Sequence, residues 1–478
     1  MTKRSRTLLF LTLVSIFFIA APSIIFYSQG YRFDLETRRL TQVGAFYFDV
    51  HPPRAQIFVD GEQIGETSRF IGNNLSKNLL SKTYQVSIQK EGYIPWRKNL
   101  DIVPRQVTEA KNITLFPANL VFEQKQQNVL RFWPAPNTRH ILLQKENQTE
   151  LWDLVLWDTA DNVEYALFQA ETPLQEMGNV EWALNSNAFL FQIVSAQGFQ
   201  TFVQNIEQGM LANASSRADI LQIAQDTRVP VPFVNSGAKD IQFFPNDSGS
   251  LAFLAPGTNG APALSVYNVN NGQLQQPPLR NVGAFAFWGQ ELFWVDTQGK
   301  VWRQTSLQAA PVQISQKPFS FTGEEPNKLY AFASQVFLQT ENRLYWLNDT
   351  SGEFQEIFFR PKEVAISPDA KKLALTSGSE IVLFFLTSDS QQPARQKAET
   401  VLITRLGQEI SHISWLNSHY FAFTAGGKVY ATEIDTRDHA QVEPLIDMPH
   451  ADYFWQPSQE RLYIHSANQI QASQPFWP

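Results

Sequence analysis

At 478 residues the chain is long enough for about three ordinary domains, or for a small domain beside one large repeat fold. Hydrophobic residues make up 43%, charged residues 17% and aromatics 13%, a balance that argues against intrinsic disorder and favours sheet over helix. A net charge of −7 without a basic run beyond residue 6 speaks against a nucleic-acid partner, and the lack of cysteine excludes disulfides, thiolate metal sites and thiol nucleophiles.

Lys3, Arg4 and Arg6 precede a run from Leu8 to Tyr27 that carries no charge. Twenty helical residues span about 30 Å, the hydrocarbon thickness of a bilayer. Residues 1–30 therefore read as a single-pass transmembrane anchor in the cell membrane. The basic residues ahead of the run predict the N-terminus inside and the bulk of the chain extracytoplasmic, with Tyr27 and Tyr31 at the headgroups. A cleaved signal peptide is the competing reading. The run is longer than a usual signal core, and Ala20-Ala21 supplies no good small-x-small site. A polar linker over residues 31–41 is expected next.

From residue 42 to 117 the pattern turns to period two. Phe46, Phe48 and Val50 alternate in Ala45–Val50, Gln56–Val59 follows, then Tyr84, Val86 and Ile88 alternate, and a last strand runs through Asn112–Leu115. Asp60-Gly61 is a tight-turn signal, and Gly92 and Pro95 punctuate the chain. The run Pro53-Arg54-Ala55-Gln56-Ile57-Phe58-Val59-Asp60-Gly61, with Gly65-Glu66-Thr67 and then Lys90-Glu91-Gly92-Tyr93-Ile94-Pro95-Trp96, resembles the PEGA domain family over about 70 residues. Arg54 stands where the family carries Gly, and the stretch between Thr67 and Tyr84 is longer and more polar than usual. The resemblance implies a small immunoglobulin-like or prealbumin-like β-sandwich, a spacer or interaction module of bacterial surface proteins. Asp60, Gly61, Glu91, Gly92, Tyr93, Pro95 and Trp96 are then a structural signature: a turn, and rings packed on the core. The functional alternative is a glycan-stacking platform formed by Tyr93 and Trp96.

Residues 119–478 contain a degenerate repeat. Its openings are Leu130–Pro134, Val180–Trp182, Ile241–Pro245, Ala284–Trp288, Leu329–Ala333, Val364–Pro368, Ile413–Trp415 and Tyr453–Trp455. Their mean spacing of about 46 residues is near that of four-stranded propeller blades, whereas stacked β-sandwiches would repeat at roughly 100. The expected fold is thus all-β, ending in a β-propeller of eight blades, with seven possible. The last copy shows three strands, and Leu120–Glu123 is positioned to supply the fourth and close the ring. The region resembles WD40-like and TolB-like propellers, best at Ser367-Pro368-Asp369-Ala370, where Ala370 replaces the usual Gly.

Catalytic motifs are lacking. There is no Gly-x-Ser-x-Gly elbow, phosphate loop, His-Glu-x-x-His or calcium loop, and His51, His140, His412, His419, His439, His450 and His465 show no ligand spacing. Propeller glycosidases need only two carboxylates; Asp153, Asp158, Glu181 and Asp240 are candidates that the sequence cannot pair. Trp133, Trp182, Trp288, Trp415 and Trp455 begin blades, as packing residues or as a sugar-binding rosette. The expectation is a non-enzymatic envelope protein without cofactor or metal, binding a protein or cell-wall glycan. A carbohydrate-active propeller enzyme and a pure spacer are the alternatives.

Overall fold

The computed structural model of the chain describes all residues except 1–2, 35–37, 148, 150, 173–174, 197, 207–215, 233–236, 246, 258–259, 307–308, 322–327, 449–451 and 478; His450 therefore lies outside the described residues. The fold is nearly all β, with an apolar helix at its N-terminal end.

Helix α1 (Lys3–Ser28) contains Pro22, and no residue of its apolar span is buried. Among the described residues it is the one helix long and apolar enough to cross a membrane. Gly30 ends it at φ +81°, the left-handed conformation that favours glycine after a helix. No free linker follows. Strand β1 (Tyr31–Asp34) pairs antiparallel with the start of β2 (Arg39–His51).

Two sheets then face each other. One holds β2, β5 (Asn73–Leu80) and β8 (Val107–Thr114); the other holds β3 (Gln56–Val59), β4 (Glu62–Glu66), β6 (Thr83–Gln89) and β7 (Trp96–Asp101). Phe46, Phe48, Ile57, Val86, Ile88 and Leu100 fill the space between them. The sequence pattern located β2, β3, β6 and the end of β8 but not β4, β5 or β7. Strand β5 reads Asn-Asn-Leu-Ser-Lys-Asn-Leu-Leu, a poor strand former held by its pairing with β2. Strand β7 alternates buried and exposed residues, but one inward position is Lys98, which breaks the apolar signal.

The remainder forms eight four-stranded antiparallel sheets, over residues 129–169, 176–230, 239–280, 282–313, 328–359, 363–405, 410–447 and 452–473. We call these blades 1 to 8. A helix, α2 (Arg217–Thr227), capped by the Ser216 hydroxyl, occupies the insertion in blade 2. Blade 8 takes its fourth strand from β9 (Phe122–Gln127), which precedes blade 1 and pairs with Gln469–Ser473. The pairing begins two residues later than Leu120. Each of the eight blade boundaries holds a buried apolar cluster. One of them joins Val129, Leu143 and Trp157 of blade 1 to Phe454, Tyr463 and Ile470 of blade 8, so the ring closes. Closure leaves no free sheet edge between the two ends of the chain.

Candidate functional site

The first strands of blades 4 and 5, of 6 and 7, and of 7 and 8 lie beside one another, at the inner side of the closed ring. Side chains bind some of these strands to the next. Trp182 Nε1 donates to Trp133 O at 3.1 Å, and Trp415 Nε1 donates to Ala365 O at 3.1 Å. These two indoles are inter-blade fasteners, with their hydrogen-bonding edges already used. Trp288 packs in the cluster between blades 4 and 5, and Trp455 packs on Phe476 and Trp477.

In five blades the ladder of the first strand is irregular near its start: Val129/Arg131, Met177/Val180, Lys239/Gln242, Val282/Ala284 and Ser411/Ser414. Such bulges turn a side chain out of the pleat. Asp240 and His412 sit in two of them at φ +51° and +58°. The Glu363 carboxylate of blade 6 accepts the backbone N–H groups of His412 and Ile413 at 2.6 and 2.8 Å, which secures the irregular segment of blade 7. The Tyr453 hydroxyl of blade 8 donates to His412 O.

Glu181 and Asp240 are adjacent around the axis, on the first strands of blades 2 and 3. Solvent reaches Glu181, yet the surrounding protein encloses it, and this loss of hydration, reinforced by Asp240, pushes its carboxyl up to about 7. Lys328, from blade 5, acts in the opposite direction. Asp240 is raised too, by burial, while Gln242 and Lys328 oppose the change. The other two carboxylate candidates are committed elsewhere. Asp158 takes a bidentate Arg139 and the N–H of Ala160, and Asp153 pairs with Arg217 of α2. The sequence did carry a signal for the axial residues. Asp240, Lys328, Glu363, His412 and Asp452 each directly precede the opening of a repeat copy, so superposing the copies would have aligned them.

The second feature is the junction between the sandwich and blades 6 to 8. Trp96 is only 3% exposed, and its Nε1 donates to Glu433 Oε2 at 2.9 Å. Lys98 Nζ lies 2.8 Å from Glu433 Oε1, with the two side chains 0% and 4% exposed. The ammonium also meets the carbonyl oxygens of Asp435, Arg437 and His439. Burial raises the Glu433 carboxyl, while Lys98 and Trp96 hold it back. Around this centre Gln441 Nε2 donates to Pro95 O, Asn99 donates to Asp438, Arg437 donates to Glu109 O, and Thr114 N donates to the Tyr420 hydroxyl. The C-terminal segment straps across: Tyr93 donates to Phe476 O, and Trp477 Nε1 donates to Leu115 O.

The signature residues thus divide in two. Asp60 and Gly61 form the turn after β3, at φ +48° and +85°, where Asp60 accepts Gln85 N and pairs with Lys82. Glu91 and Gly92 are exposed in the turn between β6 and β7, while Tyr93, Pro95 and Trp96 contact the propeller. With its ring buried, Trp96 presents no face on which a sugar could stack. Beside the strap is a cavity of about 380 Å³ lined by His51, Asn112, His419, Trp455, Glu460 and Trp477. Burial pushes His419 down to about 4. Among the described residues, no group of three or more His, Asp or Glu could hold a metal ion.

No family model matches the chain, and no curated protein matches it. Among solved structures, it is similar to Hsv2 of Kluyveromyces lactis at 11% identity and a TM-score of 0.42, over 67% of this chain and 98% of that one. Sqt1 of Saccharomyces cerevisiae gives 12% identity and a TM-score of 0.43, over 75% and 98%. Apo AztD of Citrobacter koseri gives 11% and 0.41, over 77% and 93%. The propeller assignment stands on the chain's own eight sheets; likenesses at this level carry no functional argument.

Proposed function

We propose that the chain is a single-pass membrane protein of the cell envelope whose propeller is a non-enzymatic binding platform, held off the bilayer by a PEGA-like sandwich. The observation that carries this reading is the position of the two ends of β2. At Val43 the strand is bonded to Gly30, the end of α1; at His51 it is bonded to Leu115 and packs on Trp477, in the propeller junction. The eight residue steps between them span about 26 Å of continuous strand. A buried, hydrogen-bonded junction then fixes the propeller to that strut. The positive φ of Arg54, +61°, at the position where PEGA domains carry glycine, supports the resemblance.

Loops from many blades converge on one rigid surface in a propeller, which suits recognition of a protein partner or a cell-wall glycan. The N-terminus lies inside and the propeller outside. The test is affinity capture with the full chain in detergent, alongside purified cell-wall glycan, comparing the native protein with a variant that reverses axial charges (Lys328→Glu with Asp452→Lys). A single protein recovered by the native chain and lost by the variant supports the platform. Retention on glycan alone makes it a lectin. Recovery of neither leaves a spacer.

A second reading has its own observation. A carboxyl held near 7 beside a second carboxylate is the pattern of a general acid with its partner, as in a carbohydrate-active enzyme. Turnover of envelope glycans by the native chain, abolished in Glu181→Gln, would establish that reading.

A further inference from the structure

The two strands that follow α1 form an amphipathic hairpin. Tyr31 pairs with Gln42, Arg32 with Thr41, Phe33 with Leu40 and Asp34 with Arg39. Side chains of directly paired residues share a face, and faces alternate along a strand. One face therefore carries Tyr31, Phe33, Leu40 and Gln42, and the other holds the paired positions Arg32 with Thr41 and Asp34 with Arg39. Phe33 and Leu40, opposite each other, are 57% and 56% exposed. No described part of the protein buries this apolar pair.

The apolar face continues from the helix. The Tyr31 ring packs edge-on against Phe26 of α1 at 5.4 Å between centroids. Arg32 lies 3.6 Å from the centre of the Tyr27 ring and donates to Tyr27 O and to Asn78. The hairpin is thus fastened against the end of α1, with Tyr31 of its apolar face seated on Phe26. Charge points the same way. Residues 31–42 hold Arg32, Arg38 and Arg39 against Asp34 and Glu36, a local positive balance in a chain of net charge −7.

We infer that this hairpin is an interfacial foot: Phe33 and Leu40 enter the headgroup layer of the bilayer, while the backbone of the arginine-bearing face stays in water and its long side chains reach back toward anionic lipid phosphates. The inference rests on α1 spanning the membrane. Aromatic and apolar side chains with flanking cations are what the headgroup region accommodates. The consequence is orientation. Strand β2 runs unbroken from the foot to the propeller junction, so the foot fixes the tilt of the propeller over the membrane, where a free linker would let it swing.

The chain has no cysteine, so single nitroxide-labelled cysteines report unambiguously. The full chain would be labelled in turn at Phe17, Phe33, Arg39, Leu40 and Glu91, reconstituted in vesicles of phosphatidylcholine and phosphatidylglycerol, and read by collisional spin relaxation with oxygen and with a nickel chelate. The expected depths are the hydrocarbon core for position 17 and about 5–10 Å into the headgroup boundary for 33 and 40, with 39 and 91 in water. The contrast between 39 and 40 distinguishes an inserted face from mere proximity. A label at 17 in hydrocarbon with 33 and 40 as accessible to nickel as 91 overturns the foot and leaves the anchor standing. A label at 17 in water overturns both.

Discussion

Lys98, on an inward position of the sandwich, and Glu433, in blade 7, form an ion pair at 2.8 Å from which water is excluded. Removing two charges from water is costly, and the pair holds because Trp96 and three backbone carbonyls complete its hydrogen bonds. It makes the sandwich and propeller one body.

Breaking one side of that pair should be far worse than removing both. Lys98→Met leaves a buried, uncompensated carboxylate and should destabilise the protein by about 3–5 kcal/mol. Lys98→Met combined with Glu433→Leu should recover most of the loss. Denaturant unfolding of the full chain in detergent measures both. A double variant as damaged as the single one would mean that the carboxylate is not the source of the penalty.

The pH dependence should show two opposed contributions. Glu181 titrates near 7 when folded and near 4.5 when unfolded, so the folded state binds the extra proton, and stability falls as pH rises from about 4.5 to 7. His419 titrates near 4 when folded and near 6.5 when unfolded, so its contribution is lost as pH falls through that window. Glu181→Gln should raise the melting temperature above pH 7 and leave it unchanged below pH 4.5. His419→Gln should flatten the acid limb. Melting curves against pH for the two variants check the signs.

Two non-glycine residues occupy left-handed backbone where the resembled patterns carry glycine: Arg54 at φ +61° and Ala370 at φ +53°. A side chain there costs roughly 1–2 kcal/mol, partly offset by the flexibility that glycine adds to the unfolded chain. Arg54→Gly and Ala370→Gly should each stabilise by about 0.5–1 kcal/mol. The readout is a higher urea midpoint with an unchanged slope.

Ring closure depends on the pairing of β9 with the C-terminal strand. A chain ending at Asn468 lacks Gln469–Ser473 and the strap, leaving β9 unpaired. Its propeller should lose cooperative unfolding and expose a sheet edge prone to association. Retention of a single sharp transition by this truncation would contradict the closure argument.

Legibility from sequence followed the environment of each residue. Strands with one buried apolar face, such as those of Phe46, Phe48 and Val50 and of Tyr84, Val86 and Ile88, were plain from alternation, and the blade openings from their recurrence. The closing strand was anticipated within two residues, because three strands at one end of the repeat and one at the other imply a shared sheet. Strand β7 was hidden because its inward Lys98 is neutralised by a residue more than three hundred positions away. The hairpin after α1 was hidden because its apolar pair is more than half exposed and so adds nothing to a buried face. The axial residues were visible in type but not in relationship, since no single copy shows that Glu181 and Asp240 face a common axis.

The central claim is a propeller standing at a fixed distance from a bilayer on a rigid strut. Neutron reflectometry of the full chain in a supported bilayer tests it most directly. The account predicts a thin protein layer of about 26 Å against the membrane, from the length of β2 between Val43 and His51, followed by a thicker, denser layer for the propeller. A single dense layer in contact with the headgroups, or a diffuse profile without a defined gap, would contradict it.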